Sequence, residues 1–243
     1  MKAWMILLTS LLLLGCAGVQ APALNGQAAF DDALFAPLQP TPAAEAALAL
    51  TPAMQRFVAE RVAPQVWRKG PQQALLDALA TPGDLLLEYD SAYTRTAGEA
   101  FAARRGNCLS LVLMTAALAR ELGLSVRFQE VLGTPLIEHQ GGFTFVVGHV
   151  NLALGAPLER ARSAFDSALV VDFLPGQDLR RQQWRLIDEH RVLAMFMNNR
   201  AAEELAQGDA PAAYAWLRGA FAQDPGYAPL FNTLGVLYRR QGA

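Results

Sequence analysis

Lysine is almost missing from this chain: among its 20 basic residues only Lys2 and Lys69 are lysines. A protein with so few amines is a poor candidate for cross-linking to itself. Cysteine is as scarce, with two in 243 residues, so a disulfide framework is excluded and Cys16 with Cys108 is the sole pairing open to it. Histidine occurs three times, as His139, His149 and His190, at none of the close spacings of a metal site; neither a metal nor any other cofactor is expected. A formal net charge of −2 and the lack of a basic run argue against nucleic acid as a partner. Long apolar runs are lacking too. The longest opens the chain and is too short for a comfortable membrane span.

That opening run, Met1 to Cys16 (MKAWMILLTSLLLLGC), has a Lys at its start and a small residue before Cys, the layout of an export signal. Its end, Leu13-Leu14-Gly15-Cys16, resembles the lipobox of bacterial lipoproteins. The resemblance implies cleavage before Cys16, lipidation of Cys16 as a membrane anchor and, with Ala17 and not Asp next, a place on the outer membrane facing the periplasm. The expected divisions are a signal at 1–15, a lipidated Cys and Ala/Pro-rich tether at 16–50, a main domain at 51–190 and a helical segment at 191–243. Pro22, Pro37, Pro40 and Pro42 mark the tether, which also carries an apolar cluster of Phe30, Leu34 and Phe35. Lipidation would leave Cys108 without a partner in an oxidising compartment, where a lone thiol is kept for reactivity more often than for packing.

What is there points to Cys108 again. After a helix from Thr51-Pro52, closed by Pro64, and another from Pro71 to about Ala80, Thr96-Ala97-Gly98-Glu99 reads as a capping box that starts a short helix ending at Gly106. Asn107 is a good N-cap, and Cys108 to Leu122 are strong helix formers, with Gly123 as the stop. Cys108 is therefore expected in the first turn of a helix. There the free N–H groups and the helix dipole favour a thiolate, which suits a nucleophile.

Two strands downstream supply partners. Phe143 to Leu154 alternates so that Phe143, Phe145, Val147, His149 and Asn151 share one face. Ala168 to Phe173 is a short apolar strand interrupted by Asp172, and a buried carboxylate there needs a partner such as an imidazole N–H. Cys, His and Asp in this setting form an arrangement in which imidazole takes the thiol proton and the carboxylate orients the ring.

The residues T-A-x-E-x-F-x-x-R-x-G-N-C (Thr96 to Cys108), the helix end Ala-Arg-Glu-Leu-Gly-Leu (Ala119 to Leu124), Gly-His-Val (148 to 150) and Val-Asp-Phe (171 to 173) resemble the transglutaminase-like superfamily. The resemblance covers about residues 50 to 190 and is most specific in the Cys block. It implies an α+β fold with a papain-like transglutaminase core, the Cys helix packed on an antiparallel sheet. Cys108 is then the nucleophile, His149 the base and Asp172 the orienting acid, and the Cys108 N–H is a natural oxyanion donor.

Rivals exist for two of the three. His139 and Glu138 fall in an expected loop, Leu132 to Gly142, as a solvated pair or part of a lid. His190 lies near an expected helix from about Trp184 to Met197. Asp166 is the rival acid, but a turn Asp needs no partner whereas a strand Asp does. Tyr89, Asp90 and Tyr93 read as turn residues more readily than as cleft residues.

The last fifty residues resemble tetratricopeptide repeats: Ala213, Leu217, Ala220 and Pro225 fall on second-helix positions of one 34-residue repeat, and Phe231, Leu234, Gly235 and Tyr238 on first-helix positions of the next. Met197, Arg200, Ala201 and Glu204 match the first helix of the earlier repeat poorly. About three repeats are needed for a free-standing array, so this segment is expected to pack on the main domain or to be a shortened form of a longer one, and to offer a face to a protein partner.

Two functions are expected from these residues. One is a thiol enzyme acting on the carboxamide or peptide bonds of a peptide or protein substrate, by hydrolysis or acyl transfer. The other is a lipoprotein adaptor that keeps the fold for shape and recruits periplasmic partners through the repeat-like segment.

Overall fold

Helices punctuated by proline and glycine build the first third of the described chain. The computed structural model describes residues 26–82, 84–140, 143–157, 168–174 and 183–242, with backbone alone for 134–140, 143–147 and 156–157. Residues 1–31 separate as a unit of their own, described only around the 3-10 turn Gly26–Ala29. The export signal and Cys16 lie outside the described residues. Among the described residues no helix is long and apolar enough to cross a membrane.

In the unit of residues 32–243, Thr51 caps α1 (Pro52–Phe57) by accepting the Met54 N–H. Pro64 does not close this helix, contrary to expectation. A π turn, Val58–Val62, moves the Ala63 N–H onto the Val58 carbonyl, and Pro64 falls in the first turn of α2 (Ala63–Lys69), where no N–H is needed. Gly70, at φ +77°, turns the chain into α3 (Pro71–Ala80). After β1 (Glu88–Tyr89) the capping box forms as expected, with reciprocal Thr96 and Glu99 bonds, and starts α4 (Ala97–Ala103). This helix stops at left-handed Arg104, not at Gly106, because β2 (Arg105–Gly106) pairs in parallel with β1. Then α5 (Cys108–Glu121) begins, buried from Cys108 through Ala119.

The sheet is antiparallel in the order β5-β4-β3-β6: β3 (Leu124–Gln140), β4 (Phe143–Pro157), β5 (Leu169–Val171) and β6 (Gln183–Ile187). Leu132 to Gln140 is strand and not loop, for the long pairing with β4 overrides its breakers. The register shift between Val131 and Leu136 absorbs Gly133 and Pro135. Likewise Gln183–Ile187 is strand, and the following helix starts only after Asp188, whose carboxylate accepts the Arg191 N–H at 2.8 Å. The Cys helix lies against β3, β4 and α4.

Three helices complete the chain: α6 (Glu189–Gln207), α7 (Ala210–Gln223) and α8 (Pro229–Gln241). Ala213, Leu217 and Ala220 of α7 are fully buried; on α8 the buried stripe is Leu230, Leu234 and Leu237, while Phe231 and Tyr238 are half-buried and Gly235 is exposed. Phe231 meets Phe221 edge-on at 6.2 Å. Much of the expected tether is docked, not free. Phe35 stacks on Tyr214 at 4.1 Å, the Tyr214 hydroxyl donates to Asp32 at 2.7 Å, and the turn Ala44–Leu48 packs on α5 and α6.

Candidate active site

Cys108 enters the site through its helix. Asn107 caps α5 by accepting the Ser110 N–H at 2.9 Å, which fixes Cys108 in the first turn. Gly106 permits the tight approach before it, since a Cβ there would lie 2.7 Å from Ser110 Cβ. The thiol is free and buried, at 3% exposure.

His149 comes from the middle of β4, opposite Val131 of β3, and Asp172 follows directly on β5, the other neighbour of β4. His149 Nε2 lies 2.8 Å from each Asp172 carboxylate oxygen, and the two side chains are only 6% and 3% exposed. The carboxylate also accepts the Leu174 N–H at 2.8 Å and Asn151 Nδ2 at 3.2 Å, so its orientation is fixed from three sides. Asn151 had a signal in the sequence, since it sits two residues from His149 on the same strand face; Leu174 had none.

Burial by itself lowers the affinity of His149 for a proton. The hydrogen bond to Asp172 and the neighbouring Cys108 sulfur outweigh it and push the pKa up to about 9. Asp172 shows the reverse balance: burial raises its pKa, but the bonds from His149 and the Leu174 N–H prevail and hold it below the ordinary carboxylate value. His149 Nδ1 is buried with no hydrogen-bond partner of its own, and Cys108 is near enough to the ring to bias its protonation. The structure thus gathers all three sequence-predicted residues: an ordered carboxylate, an imidazole that is charged at neutral pH, and a thiol beside it. Such a set can exchange a proton between sulfur and nitrogen.

The rivals lie elsewhere or outside the description. His190 is exposed, with Nδ1 3.0 Å from Gln223. His139 pairs with Thr144 in the β3–β4 ladder, and its side chain, like Asp166, lies outside the described residues. Asp90 pairs with Arg95 at 2.9 Å and Tyr93 lies under Arg200, so both are committed to structure. A groove of about 330 Å³ near the far end of α5, lined by Arg120, Phe128, Leu186 and Glu189 among others, includes none of the three site residues. Among the described residues no group of His, Cys, Asp and Glu could hold a metal ion.

No protein-family model matches this chain, and neither a curated protein nor a solved structure matches it significantly.

Proposed function

We propose that this protein is a thiol enzyme of papain-like, transglutaminase-like type, with Cys108 as nucleophile, His149 as base and Asp172 as orienting acid. The observation that carries the reading is the His149–Asp172 pair, at 2.8 Å to both oxygens, beside a free cysteine in the first turn of a helix. Burial of Cys108 alone would suit a packing residue equally well. A charged imidazole next to it would not, because an imidazolium in that place favours thiolate.

In this reading the proton of the Cys108–His149 pair already rests on the imidazole, and the Cys108 thiolate attacks a carboxamide or peptide carbonyl. The oxyanion forms near the first-turn N–H groups of α5. Imidazolium returns the proton to the departing amine, leaving a thioester on Cys108. Water, deprotonated by His149, resolves the thioester to acid and free thiol; an amine in its place gives acyl transfer. The lipobox-like segment ending in Cys16 supports a site for this chemistry at the outer membrane, facing the periplasm, so a cell-envelope peptide or protein is the proposed substrate. The helices α6 to α8 are the proposed tetratricopeptide-like segment.

Intact-mass spectrometry tests this. Wild-type protein incubated with envelope peptides and quenched in acid should carry an added acyl mass on the Cys108 peptide. His149→Ala should carry none. No adduct in wild type, together with no cleavage or transfer of peptide amides, refutes the enzyme and leaves the adaptor.

A further inference from the structure

Glu203 is a buried carboxylate on α6 that the chemistry above does not use. It accepts the Thr94 backbone N–H at 2.7 Å through Oε1 and Arg200 at 3.1 Å through Oε2. Arg200 lies 4.1 Å from the Tyr93 ring centre and donates to the Thr94 carbonyl at 3.4 Å, so α6 holds residues 93 and 94 by two side chains. Burial pushes the Glu203 pKa up to about 7, against the Thr94 N–H bond and the Arg200 charge.

The bonds continue from Thr94 into the Cys helix. Asn107 Nδ2 donates to Thr94 Oγ1 at 2.9 Å, so the residue whose backbone N–H Glu203 holds also receives the Asn107 amide. With Nδ2 engaged, Asn107 turns Oδ1 to the helix. There it accepts the Ser110 N–H at 2.9 Å and the Ser110 hydroxyl at 2.8 Å, and Ser110 Oγ in turn accepts the Arg95 N–H at 2.8 Å. The bonds run from the Glu203 carboxylate through Thr94 to the Asn107 amide, whose oxygen faces the Ser110 N–H. A flipped Asn107 amide would put Nδ2 against the Ser110 N–H and uncap the turn that holds Cys108.

We infer that Glu203 is a positioning residue for Cys108, acting through Thr94 and Asn107 to fix the amide that caps the Cys helix. On this inference α6 is part of the scaffold that aims the thiol, not an independent recruiting arm. The inference rests on the thiol chemistry proposed above.

The test is a set of double-variant cycles on the full chain at pH 8. Iodoacetamide labelling of Cys108 is followed by mass spectrometry of its peptide, and the factor by which His149→Ala slows labelling is measured in each background. That factor cancels changes in access to the thiol. In the Glu203→Ala and Thr94→Val backgrounds it should shrink about fivefold, the scale of one lost N-cap. In Glu203→Gln, whose amide oxygen still accepts, it should stay within about twofold of wild type. An undiminished factor in Glu203→Ala and Thr94→Val, or an equal loss in Glu203→Gln and Glu203→Ala, overturns the inference. Should Glu203→Ala not fold, Thr94→Val decides, since it keeps the side-chain shape and the backbone bond to Glu203. A factor of one in the wild-type background refutes the thiol chemistry itself, a result distinct from loss of the positioning role.

Discussion

Asp172→Asn removes the charge that holds the His149 proton while keeping nearly the same shape. The contact it alters is buried, with Nε2 2.8 Å from both carboxylate oxygens. His149 stands at about 9 against an ordinary value of 6.5. At about 1.36 kcal/mol per unit, that difference corresponds to on the order of 3 kcal/mol of preference for the charged ring in the folded state. Without the carboxylate, burial is opposed only by the neighbouring Cys108, and the His149 pKa should fall from about 9 toward the ordinary 6.5. Imidazole NMR titration reads this directly, with His139→Ala and His190→Ala assigning the other rings. The sign in stability follows from linkage. The folded imidazole binds its proton more tightly than the unfolded one, so this stabilisation is complete below 6.5 and is lost as pH rises through about 9. The lowered pKa of Asp172 sets the acid limb: stabilisation is present above the ordinary 3.8 and lost as pH falls through the lower folded value. The two limbs describe one pair and count once. Urea unfolding of wild type against Asp172→Asn should therefore differ most between about pH 4 and 6.5, by at most about 3 kcal/mol, and the gap should narrow toward pH 10. A wild-type His149 that titrates at or below 6.5, or a gap independent of pH, would refute the reasoning.

Leu234→Ala, at a fully buried position of α8, should cost about 3 kcal/mol in urea unfolding. Gly235→Ala beside it meets nothing within 4 Å and should be neutral or slightly stabilising. Gly106→Ala forces a Cβ against Ser110 Cβ, an atom held by the α5 backbone, and should cost about 1–3 kcal/mol while slowing Cys108 labelling. Cys16→Ser should move the protein from the outer-membrane pellet to the soluble fraction with its melting unchanged; continued pelleting would rule out lipidation.

Local chemistry was readable where one short stretch decides its own form. Thr96 and Glu99 cap each other within four residues, and α3 runs over the expected Pro71–Ala80. The chain departs from expectation wherever distant residues decide. Arg104 ends α4 because residues 105 and 106 pair with residues 88 and 89, and Gly133 and Pro135 sit in a strand because β4 holds β3 on either side of them. In the candidate site, Asp172 announced its need for a partner by interrupting an apolar strand, and that partner is His149. Glu203 gave no such sign. Its bond to Thr94 spans 109 residues, and nothing in the local pattern of α6 separates it from a solvated helix glutamate.

The central claim, that His149 activates Cys108, is tested most directly by the pH dependence of iodoacetamide labelling at Cys108. An ordinary thiol, with a pKa of about 8.5, loses nearly a hundredfold in rate between pH 8 and pH 6. Wild-type Cys108 should lose far less over that range, and His149→Ala should restore the steep fall while His190→Ala does not. A steep fall already present in the wild type, unchanged by His149→Ala, would contradict the claim and make Cys108 a packing residue.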